Sequence, residues 1–135
     1  MLFDDIGREF KGLPGHTEPR FMYLNRSARP SMTRIRALLE IWFNDYPPDA
    51  QAELVTRFRS LDDIQHRSAF FELYLHALLS RLGFQVLAHP EIPDCNNQPD
   101  FLVLRDQNPI TYLEATLATG PSQETAADKR ENVVY

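Results

Sequence analysis

Two acidic residues, Asp100 and Glu114, border an otherwise apolar stretch, QPDFLVLRDQNPITYLEAT, at residues 98–116. It reads as two short strands, FLVLRD and ITYLEAT, joined by the turn residues Asp106, Gln107, Asn108 and Pro109. Opposed residues of an antiparallel hairpin have numbers with a constant sum. A turn centred on Gln107 therefore sets Asp100 directly across from Glu114, with Cβ atoms about 4.5 to 5.5 Å apart. A register one residue different makes them near neighbours on opposite faces. Side chains alternate along a strand, so Glu114 and Thr116 share a face, and Asp100 joins them in the direct register. Two like charges across one rung repel, and a divalent cation would offset them. Two carboxylates plus waters are an oxygen set that suits Mg²⁺ or Mn²⁺, and an ion held there polarises a phosphate and activates a water. The alternative is that both carboxylates sit in solvent at frayed strand ends.

The elements that must position these groups are legible in the apolar spacing. Residues 1 to about 30 mix Gly, Pro and Arg without a sustained period, and GLPGHTEPR reads as loop. From Ser31, the residues Ile35, Leu38, Leu39, Trp42 and Phe43 recur at helical spacing until NDYPP closes the helix. Pro48 suits the first turn of a second helix carrying Ala52, Leu54, Val55 and Phe58. A third helix, LDDIQHRSAFFELYLHALLSRL, is predicted between a Ser60–Asp63 capping pair and Gly83. Its arc through Phe71, Leu75, Leu78, Leu79 and Leu82 is expected to pack on a sheet, and Glu72 lies within that arc. FQVLAH then reads as a strand and PEIPDCNNQ as a loop. After the hairpin, TGPS stops the sheet and Ser122 starts a last helix, QETAADKRENVVY.

The 135 residues, 43% hydrophobic, suffice for one domain with a real core. A net charge of −5 argues against a protein that coats nucleic acid or an anionic membrane by bulk electrostatics. The charge is uneven: residues 1–60 hold 9 Arg and Lys against 8 Asp and Glu, whereas residues 61–135 hold 5 against 11. A single cysteine, Cys95, suits a cytoplasmic location. No apolar run approaches the roughly 20 residues of a membrane span, and no signal peptide is recognisable.

A helix with a glutamate, a strand, Pro99-Asp100 opening a second strand, and Glu-x-x closing a third resembles the PD-(D/E)XK superfamily of restriction-endonuclease-like nucleases. The matching part runs from about Ile64 to the C-terminus. The run FFELYLHALLSRLGF, then HP, PDFLV and YLEAT, is also similar to a group of uncharacterised bacterial proteins associated with that fold. The resemblance implies that Asp100 and Glu114 bind the catalytic Mg²⁺ or Mn²⁺, with the carbonyl of Ala115 as a further ligand. It implies that Glu72 orients a metal-bound water. The superfamily's basic residue should stand at 116, where this chain has threonine. A threonine hydroxyl hydrogen-bonds but carries no charge, and loss of one such electrostatic group costs on the order of 10² to 10³ in rate. Gln123, Lys129 and Arg130 of the last helix are candidates for rebuilding the site, Lys129 foremost. A rebuilt active site, a catalytically silent metal or nucleic-acid site, and no site all stay open.

The segment RFMYLNRSARPSMTRIR carries Arg20, Arg26, Arg29, Arg34 and Arg36 with Phe21 and Tyr23 among them and no acidic residue. Arginines can pair with phosphates while aromatics stack on bases, so this is the candidate nucleic-acid contact; a solvated face, or partners for the chain's own acids, is the alternative. His89, Asp94 and Cys95 lack a second ligand pair for zinc. Cys95 lacks any activating context for a Cys-His protease, and His76, one turn after Glu72, reads as structural. The expectation is an α/β domain: a loop and helical segment at 1–60, then a nuclease-like core at 61–135. In that core a helix, a three-stranded antiparallel meander and a helix follow in order. NVVY stops inside the last helix, which predicts a longer natural protein cut at its C-terminus. The implied activity is metal-dependent hydrolysis of nucleic acid, DNA before RNA, in defence or DNA processing, with a homodimer as a candidate assembly. The competing expectation is an inactive nuclease-fold module that binds nucleic acid or protein.

Overall fold

The computed structural model describes residues 1–94 and 96–118. The last predicted helix, with Gln123, Lys129 and Arg130, lies outside the described residues, as does Cys95. Four helices come first: α1 (Arg20–Arg26), α2 (Pro30–Asp45), α3 (Pro48–Phe58) and α4 (Asp63–Arg81). Three strands follow, β1 (Gln85–Ala88), β2 (Phe101–Arg105) and β3 (Asn108–Leu113), as an antiparallel meander in the order β1-β2-β3. The class is α/β, with the expected helix before the expected meander. Among the described residues no helix is long and apolar enough to cross a membrane.

Proline opens both α2 and α3 at the first helical position, where its missing N–H costs nothing. The predicted start of α4 moves by a residue or two. Asp62, not Ser60, is the N-cap and accepts from the Ile64 N–H at 2.9 Å, while the Ser60 hydroxyl accepts from the Asp62 N–H at 3.1 Å. At the other end Gly83 has φ +90°. Its N–H bonds the Ser80 carbonyl, and the Phe84 N–H bonds the Leu79 carbonyl. This double closure needs a residue without Cβ strain at that position.

The N-terminal thirty residues are more ordered than their composition suggests. Leu2 and Phe3 are buried, with both N–H groups donating to Glu40 Oε1 at 2.8 and 2.9 Å, and Arg59 Nη1 donates to the Leu2 carbonyl at 2.8 Å. Phe3, Phe21 and Phe58 form an aromatic trio with centroids 5.6–6.0 Å apart. α1, too short to show a period, turns Phe21 and Leu24 into this trio's surroundings. The core runs from Leu2 through Leu39, Phe43 and Leu54 to Leu73 and Phe101, so the segments on either side of residue 60 share one interior.

The buried face of α4 differs from the predicted one. Its buried residues are His66, Ala69, Glu72, Leu73 and His76, whereas Leu78 and Leu82 are exposed and Phe71, Leu75 and Leu79 half-buried. α2 and α3 pack on the stripe that carries the three polar residues. Apolar periodicity alone misplaced the face because His66 bonds the Phe58 carbonyl, Glu72 pairs with Arg57 and His76 packs its ring on Tyr46 and Phe101. The hairpin turn is also tighter than expected. Asp106 (φ 52°) and Gln107 (φ 66°) form a two-residue turn of the type that matches strand twist. Ile110 is then an extra residue in β3, since Val103 pairs with Thr111 but Leu104 with Pro109. Beyond this bulge Phe101 pairs with Leu113, the last rung of the ladder, and Asp100 and Glu114 lie one residue outside it.

Candidate active site

Glu72 anchors the candidate site from the middle of α4, where it is only 3% exposed. A carboxylate so deep requires a cation, and α3 supplies one: Arg57 Nη1 lies 2.5 Å from Glu72 Oε2. The pair sets the guanidinium charge directly against Oε2. The other edge of the same guanidinium is taken by Glu53, four residues earlier on α3. Nε and Nη2 donate to its two oxygens, the latter at 3.0 Å. Burial works against the Arg57 charge, and the bonds to Glu53 and Glu72 outweigh it, so its pKa stands above the usual range. The Glu53 carboxyl, half-exposed, is held below its ordinary value first by its hydrogen bonds from Arg57.

Asp100 approaches Glu72 from the residue before β2, close enough to disfavour charge on the Glu72 carboxyl. Two neighbouring carboxyls hold one proton more easily than two negative charges. The Glu72 carboxyl is accordingly pushed up to about 7, by burial first, against the pull of Arg57 and with a further push from Asp100. Asp100 is fixed from two sides. Its Oδ2 accepts from the Ala115 N–H at 2.7 Å, and its carbonyl accepts from the His89 N–H at 2.9 Å. The first bond ties the backbone beyond β3 to the head of β2.

Two more polar groups face the cluster. The Tyr46 hydroxyl is buried without a partner in a side chain 1% exposed. Its pKa is pushed up beyond the ordinary range, by burial and then by the charge of Glu72. His89 takes a left-handed backbone (φ 48°), uncommon for a residue with a Cβ, and its Nε2 lies 3.7 Å from Glu53 Oε2. His76 packs its ring on Tyr46 at 5.1 Å and on Phe101, and burial lowers its pKa, which keeps it with the core and outside the carboxyl contacts.

Of the residues read from the sequence as site members, Asp100 and the Ala115 backbone are bonded, with Glu72 near enough to feel the Asp100 charge. Glu114 follows the last paired residue of β3 and is exposed, as is Thr116. Lys129 lies outside the described residues. The segment of five arginines is partly committed elsewhere. Arg36 is buried and donates to the Leu24 and Ser27 carbonyls, both at 2.7 Å. Arg26 pairs with Glu18 at 2.5 Å and covers the Phe10 ring. Arg29 donates to the Lys11 carbonyl. Arg20 and Arg34 keep exposed heads, Arg20 with a loose 4.0 Å pairing to Asp63. As a phosphate-binding set the segment is thereby reduced, with Arg36 removed from it by burial.

Sequence reasoning missed Arg57, Glu53 and Tyr46. The signal for Arg57 was present, because a glutamate inside an apolar arc implies a buried cation, and Glu53 and Arg57 stand at the spacing of a helical ion pair. Tyr46 carried no signal. Among the described residues no three of His, Cys, Asp and Glu converge as a ready-made ion cage. Asp100, with Oδ2 already accepting from the Ala115 N–H, and the exposed Glu114 are the carboxylates at this end of the hairpin. Comparison of the chain with protein-family models, with curated proteins and with solved structures gave no match.

Proposed function

We propose that this protein is a divalent-metal-dependent nuclease of the restriction-endonuclease-like type, hydrolysing phosphodiester bonds of DNA. One observation supports the reading: Asp100 at the head of β2 accepts from the Ala115 N–H beyond β3, and its charge is felt by the buried Glu72 carboxyl of α4. The excess of carboxylate there is what a hard divalent cation neutralises. Asp100 and Glu114 would hold Mg²⁺ or Mn²⁺, with the Ala115 carbonyl as a further ligand, and the bound ion supplies Lewis-acid polarisation of the phosphate and activation of water. Glu72, near Asp100, would orient that water, while Thr116 would offer a hydroxyl to the substrate. Incubation of the full chain with single- and double-stranded DNA and Mg²⁺ or Mn²⁺ tests the reading. Cleavage lost in Asp100→Ala and Glu114→Ala is expected; no cleavage, or cleavage indifferent to both, sinks it.

A second reading, an inactive module that keeps the fold for nucleic-acid or protein binding, is favoured by Thr116 and by the pairing of Arg57 with two carboxylates. Calorimetric titration with Mn²⁺ separates the two, because an inert scaffold shows no binding that depends on Asp100.

A further inference from the structure

We infer that the groove between α1, α2 and α4 is a binding site for a small aromatic carboxylate that carries one ring N–H or hydroxyl. The groove encloses about 790 Å³, a volume in the range of small-molecule sites. Its walls are Tyr23 and Leu24 of α1, Ile35 of α2, and Phe70, Phe71 and Tyr74 of α4. On α4 the three rings follow Arg67 at i+3, i+4 and i+7, so one stripe of the helix carries a cation at its start and aromatic surface along its length. Phe70 and Phe71 are half-buried and Tyr74 is exposed, which leaves their faces open to stacking by a planar ligand. Neither Glu72, Asp100 nor Glu114 lines the groove, so the inference does not depend on the nuclease reading.

The polar groups of the lining decide what fits. Glu18 is already committed, since its carboxylate pairs with Arg26 and accepts from the Gly15 N–H at 3.0 Å. Arg67 is exposed and has no ion-pair partner among the described residues, and Arg20 has only its loose 4.0 Å pairing to Asp63. The lining is therefore net cationic, and a carboxylate matches it. His66 is an independent pointer. It lines the groove although only 4% exposed, and its Nδ1 lies 2.5 Å from the Phe58 carbonyl. A carbonyl only accepts, so Nδ1 carries the proton and Nε2 is left as an acceptor without a partner among the described residues. Burial lowers the His66 pKa, which maintains this neutral form. A ligand N–H or O–H satisfies Nε2. An aliphatic acid would leave it unpaired, and a nucleobase would bring several edge donors and acceptors against walls that cannot pair them.

Calorimetric titration of the full chain with indoleacetate is the test. Naphthaleneacetate, which lacks the N–H, and skatole, which lacks the carboxylate, are the matched ligands. Indoleacetate should bind at a single site, and each matched ligand about tenfold more weakly. Arg67→Gln, at an exposed position, should weaken indoleacetate about tenfold and leave skatole unchanged. Ile35→Trp fills the groove and should abolish binding of all three, with thermal melts to confirm that both variants fold. Failure of the full chain to bind indoleacetate overturns the inference, whether residues beyond Ala118 or a second copy takes the groove. Equal affinity for the three ligands, or an Arg67→Gln variant that loses nothing, overturns it too. So does tighter binding of thymidine monophosphate than of indoleacetate, which would give the groove to a nucleotide.

Discussion

Replacing Glu72 by glutamine should abolish a pH dependence of stability whose sign runs opposite to that of ordinary acid unfolding. The folded chain pushes this carboxyl from 4.5 to about 7, with burial as the first cause. Between those values the folded state binds more protons than the unfolded state, so the free energy of unfolding falls as pH rises. The contribution is fully present below about pH 4.5 and is lost through about pH 7. The move from 4.5 to about 7, at about 1.36 kcal/mol for each tenfold change in proton affinity, corresponds to roughly 3 kcal/mol. In a chain of this size that is about 10 °C in Tm. Glutamine keeps the shape and stays neutral, and its amide oxygen still accepts from Arg57. Wild type and variant should therefore be nearly equal at pH 5, with the variant ahead by about 3 kcal/mol at pH 8. Asp4, Glu18 and Glu53, whose values are lowered by hydrogen bonds to Asn25, Arg26 and Arg57, titrate in the opposite sense at lower pH. Those groups are common to both proteins and cancel in the difference. Urea unfolding of both proteins across this range is the assay. A stability difference that stays constant with pH, or a variant that loses ground at pH 8, would refute the burial argument.

Three further substitutions probe the frame around the site. Tyr46→Phe deletes a buried hydroxyl without a partner and should leave stability unchanged or raise it by about 1 kcal/mol; a loss of that size in thermal melts would mean that the hydroxyl is satisfied. Arg36→Met keeps the buried stem but strips the Leu24 and Ser27 carbonyls of their donor, at a cost of about 2–4 kcal/mol in denaturant unfolding. Gly83→Ala meets no atom within 4 Å, so its cost is purely conformational, about 1 kcal/mol for a side chain at φ +90°. Gly83→Asn should cost less by the same unfolding assay.

The elements were legible where a period or a stop signal existed. Pro30, Pro48 and Gly83 bound helices because their backbones admit few other roles, and alternation in FQVLAH and FLVLRD marked strands. Burial was less legible. Apolar spacing pointed to Leu78 and Leu82 on α4, yet the stripe that faces α2 and α3 holds His66, Glu72 and His76, because a polar side chain with a partner can outcompete a leucine for an interior place. The pairing of Phe101 with Leu113 agrees with the expected register although the turn was misplaced, since the shorter turn and the bulge at Ile110 compensate. The site was half legible. Its carboxylates announced themselves by interrupting apolar runs, but Arg57 comes from α3, a tertiary partner that no local pattern connects to β2.

The charge of the cluster sets a condition that separates the two functional readings. Glu53 and Glu72 share a single guanidinium, Asp100 adds its charge to that of Glu72, and Glu114 follows the last paired residue of β3. With all ionised, a phosphate arriving alone is repelled, and Arg57 cannot offset three carboxylates by itself. Either a proton on Glu72 or a divalent cation must relieve the excess. The two remedies act oppositely with pH. If the proton suffices, as in a silent binding module, duplex binding strengthens as pH falls below about 7 and ignores Mn²⁺. If the cation is required, binding depends on Mn²⁺, and Mn²⁺ binds more tightly as pH rises through about 7, because the ion competes with that proton. Duplex affinity measured across this window, with and without Mn²⁺, therefore distinguishes the module from the enzyme, and Asp100→Ala should erase the Mn²⁺ dependence only in the second case.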